Sequence, residues 1–278
     1  MKIKLKPNLK IMVDKLQFSI GILSWKGYDS LTNSLVSYQK NGLSKLTKNK
    51  FICLPEYNDE GIKIAKRFGY EPILIEKNIG ILSGFKELAE AMPEGPILLL
   101  ENDLELVESA ETTFSQLKNS IEYLLKYDLI QVRLRSKSKP GEPFVALKKY
   151  KKYWSDNYFS KLLRFLRPYK AEKLIGTATY FLDNPEIRHP HKIEKLHEGF
   201  FLLPSSIMNW ANLAILVDRD KYLNTIIERA EKTKVKKHIN GFKNIEIELN
   251  SFWWRKQNFK ILVTPGLFTH KRLSHRGY

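Results

Sequence analysis

Residues 96–105 read Pro-Ile-Leu-Leu-Leu-Glu-Asn-Asp-Leu-Glu, and no other stretch constrains the fold as strongly. Four consecutive aliphatic residues, Ile97 to Leu100, follow Pro93, Gly95 and Pro96. A short apolar run bounded by breakers suits a strand covered on both faces, as in parallel sheets flanked by helices. The run passes directly into acid. If the extended conformation continues, Glu101, Asp103 and Glu105 share one side of the strand's C-terminal end, the edge where open α/β sheets take ligands. Carboxylates this close repel unless a cation or a proton relieves them, and hard oxygen ligands select Mg²⁺ or Mn²⁺. The stretch reads as a divalent-metal site for a phosphate-bearing substrate; the alternative is a solvated acidic turn after a core strand.

Three β-loop-α units precede it. Phe18 to Leu23 reads as a first strand ending at Ser24-Trp25-Lys26-Gly27, with a helix capped by Asp29 or Ser30 and stopped at Asn41-Gly42. Phe51 to Leu54 reads as a second strand, ending at Pro55-Glu56, with a helix from Glu60 to Phe68. Pro72 to Glu76 reads as a third, leading through Asn78-Ile-Gly80-Ile-Leu-Ser-Gly84 to a helix from Phe85 to Met92. Repeated units of this kind deliver their loops to one edge of a parallel sheet, in a Rossmann-like nucleotide-binding half.

These features, in this order, resemble a GT-A fold glycosyltransferase of the family-two, inverting kind over residues 16–108. The resemblance implies an α/β fold with a mostly parallel central sheet flanked by helices and a C-terminal acceptor-side region, all as a single domain over 1–278, with 16–108 binding the nucleotide-sugar and 109–278 facing the acceptor. It also implies roles. Ser24, Trp25, Glu56, Asn78, Gly80, Gly84, Glu101 and Asn102 would contact a UDP- or GDP-type donor, Glu56 facing the nucleobase and the glycines admitting the donor to the backbone. Glu101-Asn102-Asp103 is similar to the Asp-x-Asp metal motif, with Glu101 in place of the first Asp; Glu101 would bind either metal or ribose, and Asp103 the metal.

The second half is read from its residues first. Ser109 to Tyr127 is an amphipathic helix, and Leu129 to Leu134 a strand that puts Arg133 and Arg135 on one face, where they hold an acceptor or a phosphate or form a paired strand edge. A basic, aromatic insertion at about 145–175, from Lys148 to Lys173, suits a mobile cover over the site or contact with a membrane, a glycan or nucleic acid. His189, His191 and His197 lack zinc-ligand spacing and read as loop residues. Trp210, with Asn212, starts a strand and would stack on an acceptor sugar; the alternative is a core Trp. Residues 244–255 resemble the family's acidic pair opening a helix, with an Arg two turns on. One of Glu246 and Glu248 would be the general base, with Glu248 preferred because Glu246 suits the helix start. A last strand is expected to stop at Pro265-Gly266, after which His270 resembles a C-terminal metal ligand and Lys271 and Arg272 would neutralise the leaving diphosphate.

Composition bears on partners and compartment. The net charge is +17, which favours anionic partners. The single cysteine, Cys53, lies in an apolar run and reads as an inert buried thiol. No apolar run nears the ~20 residues of a membrane span, and the lysine-interrupted N-terminus lacks a signal peptide's apolar core, so a cytoplasmic protein, peripheral to a membrane at most, is expected. The sequence therefore reads as a metal-dependent hexosyltransferase-like enzyme acting on a glycan, protein or lipid-linked hydroxyl. Two alternatives stand beside it: a nucleotidyltransferase, against which Trp25-Lys26-Gly27 offers one glycine where a Gly- and Lys/Arg-rich signature is wanted, and a basic nucleic-acid-binding protein.

Overall fold

The computed structural model describes residues 16–234 and 238–272. The first half runs β1 (Ser19–Leu23), α1 (Tyr28–Lys40), β2 (Lys50–Pro55), α2 (Asp59–Arg67), β3 (Glu71–Ile75), α3 (Gly80–Ala91) and β4 (Pro96–Glu101). Its strands lie parallel in the order β3-β2-β1-β4. β4 is apolar throughout because both its faces are covered. Ile97 and Leu99 join the core that includes Phe85 and Leu88 of α3, Leu98 and Leu100 the core that includes Leu31 and Leu35 of α1, and all four are fully buried. Cys53 is buried in the first of these cores, which pushes its thiol up to about 12, in keeping with an inert side chain.

The second half runs β5 (Leu104–Leu106), α4 (Ala110–Lys126), β6 (Gln131–Arg135), α5 (Ala146–Trp154), α6 (Tyr158–Leu166), α7 (Pro168–Glu172), α8 (Pro185–Arg188), β7 (Glu194–His197), β8 (Phe200–Pro204) and β9 (Ile215–Asp218). A helical run follows, with α9 (Arg219–Lys221) and α10 (Glu228–Lys232) flanking a π-helical turn at Tyr222–Ile227. Then come a small hairpin, β10 (His238–Ile239) and β11 (Phe242–Lys243), two short helices, α11 (Ile245–Leu249) and α12 (Phe252–Gln257), and the long β12 (Lys260–His270). These strands extend the same sheet as β4-β9-β6-β12-β8-β7, with β5 on β12. Only β5, β8 and β9 run against the rest, so the ten-stranded α/β sheet is mostly parallel in strand direction.

Local chemistry accounts for several boundaries. Asn58 and Ser109 cap α2 and α4, their side-chain oxygens accepting from the amides of Gly61 (3.0 Å) and Thr112 (3.2 Å). The cap expected at Asp29 or Ser30 is absent; α1 begins at Tyr28, after Gly27, leaving Asp29 in the first turn where its charge favours the helix dipole. Helix α3 begins at Gly80, not Phe85, because Asn78 Oδ1 accepts from the Gly80 amide at 2.9 Å and turns the chain straight into the helix.

Two differences matter for the site. The chain does not stay extended through the acids: β4 ends at Glu101, Asn102 and Asp103 form a turn, and β5 pairs antiparallel with β12. Glu105 then meets Lys271 at 3.4 Å, so the three carboxylates do not line one side. Nor does β12 stop at Pro265-Gly266. It absorbs them as an irregularity between Val263 and Phe268 and continues to His270. Gly266 is required there: its φ is +88°, and an added Cβ would sit 2.2 Å from the Arg135 carbonyl oxygen.

The basic insertion is packed helices. His189, 5% exposed, meets the Tyr150 hydroxyl through Nε2 at 3.0 Å and lies edge-on to Trp154, whose Nε1 donates to the Ala171 carbonyl. Burial, then the charges of Arg188 and Arg164, push His189 down to about 4. Below its ordinary value the unfolded chain therefore takes up a proton that the folded chain refuses until about pH 4. Stability is full above about 6.5 and declines as pH falls, by about 2 kcal/mol once solvent screening is allowed for. Urea unfolding across this range should show a shallower pH slope for His189→Gln than for the wild type.

Candidate functional site

A cavity of about 240 Å³ lies across the C-terminal ends of the parallel strands. Leu23, Pro55 and Glu101, the last residues of β1, β2 and β4, line it together with Trp25 and with Asn78 and Gly80 from the entry of α3. Asn102 and Asp103 add the turn after β4, and Asn244 and Arg272 come from far along the chain. Phe242 of the β10–β11 hairpin closes one side.

Asp103 is the most constrained of these side chains. It is 6% exposed, and its Oδ2 faces His270 Nε2 at 3.0 Å and Arg272 Nε at 3.9 Å. Its Oδ1 is buried with no hydrogen-bond partner among the described residues. The backbone places this pair. Leu104 stands opposite His270 in the β5–β12 ladder, and the Lys271 amide donates to the Asp103 carbonyl at 3.0 Å. On the other side, the His270 amide donates to the Pro140 carbonyl (3.1 Å) and the Glu142 amide to the His270 carbonyl (2.9 Å). Gly141 lets this loop approach: its φ is +71°, and a Cβ there would sit 2.0 Å from the His270 carbonyl oxygen.

The donor-side residues hold one another. Trp25 Nε1 donates to Glu56 Oε2 at 2.5 Å, and Lys26 Nζ lies 3.1 Å from the same oxygen. The Trp25 and Lys26 bonds hold Glu56 below the usual carboxylate range, and its φ of +50° belongs to the sharp turn that presents it. Glu56 does not itself line the cavity, so it acts on the Trp25 wall. Ser24 is buried just behind. Asn102 Nδ2 donates to the Gly27 carbonyl at 3.1 Å, tying the turn after β4 to the entry of α1. The two glycines serve packing as much as access. Gly84 lies inside α3, and a Cβ there would meet Leu23 Cδ1 at 2.7 Å; at Gly80 it would meet Phe242 Cβ at 2.5 Å. Gly84 thus seats α3 on β1 and is not at the cavity wall.

The acids behave differently from one another. Glu101 is pushed up to about 8, first by burial and then by Asp103 and Glu246, with Arg272 opposing. Glu246 is therefore within electrostatic reach of the cavity, and its Oε1 accepts from the Asn212 amide at 2.9 Å. Glu248 is 2% exposed and lies outside the cavity lining. Among the described residues no three His, Cys, Asp or Glu side chains gather into a metal-holding group. Asp103 and His270 are brought together; the expected triad with Glu101 is not assembled. Lys271 turns to Glu105, leaving Arg272 at the cavity. Trp210 is 1% exposed, packed on Tyr222 and Trp254 with its Nε1 donating to Asn212 Oδ1 at 2.7 Å, so no ring face is open to a sugar. Of the two readings the sequence allowed for it, the core one holds.

No family model matches the chain, and no curated protein matches its sequence. Solved structures do resemble it. Staphylococcus aureus TarS aligns with a TM-score of 0.51 at 11% identity, covering 92% of this chain and 37% of that one. The mannosyltransferase PcManGT from Pyrobaculum calidifontis, in complex with GDP-Man and Mn²⁺, aligns at 0.51 and 8% identity, covering 95% and 59%. The fragment of TarS spanning 1–349 bound to UDP-GlcNAc aligns at 0.49 and 10% identity, covering 93% and 59%. The two likenesses at 0.51 show the fold. The chain spans less than two thirds of the length of each of these structures.

Sequence reading missed the hairpin that closes the cavity, although its signal was present. Asn240-Gly241 between Ile239 and Phe242 is a two-residue turn, and both residues take positive φ (+50° and +85°) as a type I′ turn requires. Gly80, at φ +74° with Phe242 against it, should tolerate no side chain. Gly80→Ala is expected to cost about 2 kcal/mol by strain and overlap, read as a lowered denaturant midpoint with an unchanged m-value.

Proposed function

We propose that the protein is a metal-dependent glycosyltransferase that moves a sugar from a nucleoside-diphosphate sugar to an acceptor hydroxyl with inversion. The observation that carries this reading is Asp103: a buried carboxylate with one oxygen engaged by His270 and the other unpartnered, at the C-terminal edge of parallel strands beside Trp25 and Arg272. The shared fold with a mannosyltransferase bound to GDP-Man and Mn²⁺ supports it.

The residues fit a hard divalent cation of the Mg²⁺ or Mn²⁺ kind, which commonly takes one or two protein carboxylates and leaves its other positions to water and substrate phosphates. Asp103 would hold it through Oδ1, with His270 fixing the second oxygen. When bound, the cation would neutralise charge developing on the departing diphosphate. Arg272, 3.9 Å from Asp103, would meet the same phosphates. Trp25, oriented by Glu56, would form the wall for the nucleoside, with Asn78 beside it and Glu101 toward the ribose. Neither helix acid lines the cavity; Glu246 takes the role of base in this proposal, because its charge reaches Glu101 and it is half-buried whereas Glu248 is fully buried. Its carboxylate would remove the acceptor hydroxyl's proton as that oxygen attacks the anomeric carbon, on the face opposite the leaving diphosphate.

Calorimetry with UDP and with GDP, each with and without Mn²⁺, tests the donor site. One nucleotide should bind only with the metal, and Asp103→Ala should weaken it at least about tenfold. No nucleotide binding, alongside salt-sensitive RNA binding, would overturn the proposal in favour of a nucleic-acid-binding protein. With the nucleotide-sugar so selected, Glu246→Gln should lower kcat by about 10²-fold or more at unchanged nucleotide affinity, and Glu248→Gln should not.

The same proposal places the protein in the cytoplasm, at the surface of a membrane. Among the described residues no helix is long and apolar enough to cross a membrane. In α6, Tyr158, Phe159, Leu162, Phe165 and Leu166 recur on one face and are exposed, as is Tyr169 of α7. Lys161, Arg167 and Lys170 are also exposed among them. Large aromatic and aliphatic side chains edged by cations suit an anionic lipid surface. The protein should sediment with vesicles of mixed phosphatidylcholine and phosphatidylglycerol and much less with phosphatidylcholine alone. Phe165→Ser with Leu166→Ser should remove the difference; equal recovery of wild type and variant would sink this contact.

A further inference from the structure

A second cavity, of about 210 Å³, opens beside the C-terminal end of β6. Its wall carries Arg133, Arg135 and Lys173 with the aromatic pair Phe144 and Tyr180, stacked at 4.3 Å and 22°, and no aspartate or glutamate lines it. The alternation of β6 accounts for the two arginines, since residues two apart on a strand share a face.

Among the described residues none of the three cations has a carboxylate within ion-pair distance, although the charges of Glu142 and Asp103 reach Arg135. Arg133 is 8% exposed and donates to Gln131 Oε1 at 3.2 Å, to the Tyr180 hydroxyl at 3.2 Å and to the Asn209 carbonyl, all uncharged acceptors. Arg135 lies over the Phe144 ring at 4.5 Å and donates through Nε and Nη2 to the carbonyls of Pro140 and Glu142, leaving Nη1 without a hydrogen bond among the described residues. Among the described residues, no ion pair joins Arg133, Arg135 or Lys173 to a carboxylate. Lys173, exposed at the edge of the cavity, is pushed below the usual lysine range first by partial desolvation and then by the charges of Arg255, Lys170 and Lys149. Buried charge without a counter-charge is costly, and a guanidinium held in place by stacking and carbonyls is pre-organised for a planar or tetrahedral oxyanion.

The cavity is coupled to the donor site by a shared atom. The Pro140 carbonyl accepts both from Arg135 (3.2 and 3.0 Å) and from the amide of His270 (3.1 Å), the residue that faces Asp103. The charges of Asp103 and Arg272 reach Arg135 as well.

We propose that this cavity is an acceptor subsite for an oxyanion, so that the acceptor carries a phosphate or a carboxylate close to the hydroxyl that is glycosylated. The anion would sit against Arg133, Arg135 and Lys173, beside the stacked Phe144–Tyr180 pair. The acceptor role rests on the glycosyltransferase reading; the anion site itself does not.

Calorimetry at low ionic strength tests it, with inorganic phosphate, glucuronate and glucose titrated into the protein already saturated with UDP and Mn²⁺. Phosphate or glucuronate should bind and glucose should not, and which of the two anions binds identifies the group. The affinity should fall about tenfold or more in Arg135→Gln and several-fold in Lys173→Gln, which removes an edge cation without disturbing the β6 core and should leave UDP affinity within about twofold. Anion binding that UDP displaces, and that Arg272→Gln abolishes while Lys173→Gln does not, would place the anion in the diphosphate site and overturn the proposal, as would anions binding no better than glucose. If UDP itself fails to bind, the same titrations on the free protein still decide the anion site, and only the donor reading is lost.

Discussion

The donor site proposed for this protein depends on one contact between residues 167 positions apart in sequence, Asp103 and His270. A buried carboxylate is costly unless it is engaged, and here one oxygen is engaged and the other is not. The contact exists because β5 pairs with the end of β12 and because the loop after β6 clamps His270 from the opposite side. Two glycines in the left-handed region, Gly141 and Gly266, permit these close approaches. A change at either would act on the carboxylate without touching the cavity.

The same arrangement separates charge across the site. Glu101, Asp103 and Glu246 put acid on the donor side, where burial first and the charges of the other two acids second push Glu101 above the usual carboxylate range. Beyond the Pro140 carbonyl, Arg133, Arg135 and Lys173 crowd cations. A donor diphosphate with its cation and an anionic acceptor would each meet the charge it lacks. Part of the large net charge of the chain lies on two surfaces: the arginine-lysine cavity, and the lysines and arginines edging the exposed apolar face of α6 and α7.

Much of the first half was legible because its signals are local. The strands β1 to β4 are short apolar runs ending at polar loops, and helix α2 carries its cap in the adjacent sequence. What failed there failed for tertiary reasons. Asn78 to Gly84 looked like a loop, yet Asn78 turns the chain directly into α3 and Gly84 is a packing contact with Leu23. Trp210 could be read as core or as a sugar platform, and only the rings of Tyr222 and Trp254 decide it. Between Glu246 and Glu248, helix periodicity says that they diverge; which of them approaches Glu101 depends on where α11 docks.

The sequence by itself determined the doubly covered strand at Ile97–Leu100, the acids placed at its end, and the delivery of the preceding loops to the same edge, because hydrophobic period and breaker residues act over a few positions. Tertiary structure decided which of those acids face a common cavity. The turn at Asn102–Asp103 sends Glu105 to Lys271, and β12 passes through Pro265-Gly266 to bring His270 to Asp103. Such choices rest on strand pairing across the whole chain and on the burial of charge, and neither is written in the residues next to the ones they position.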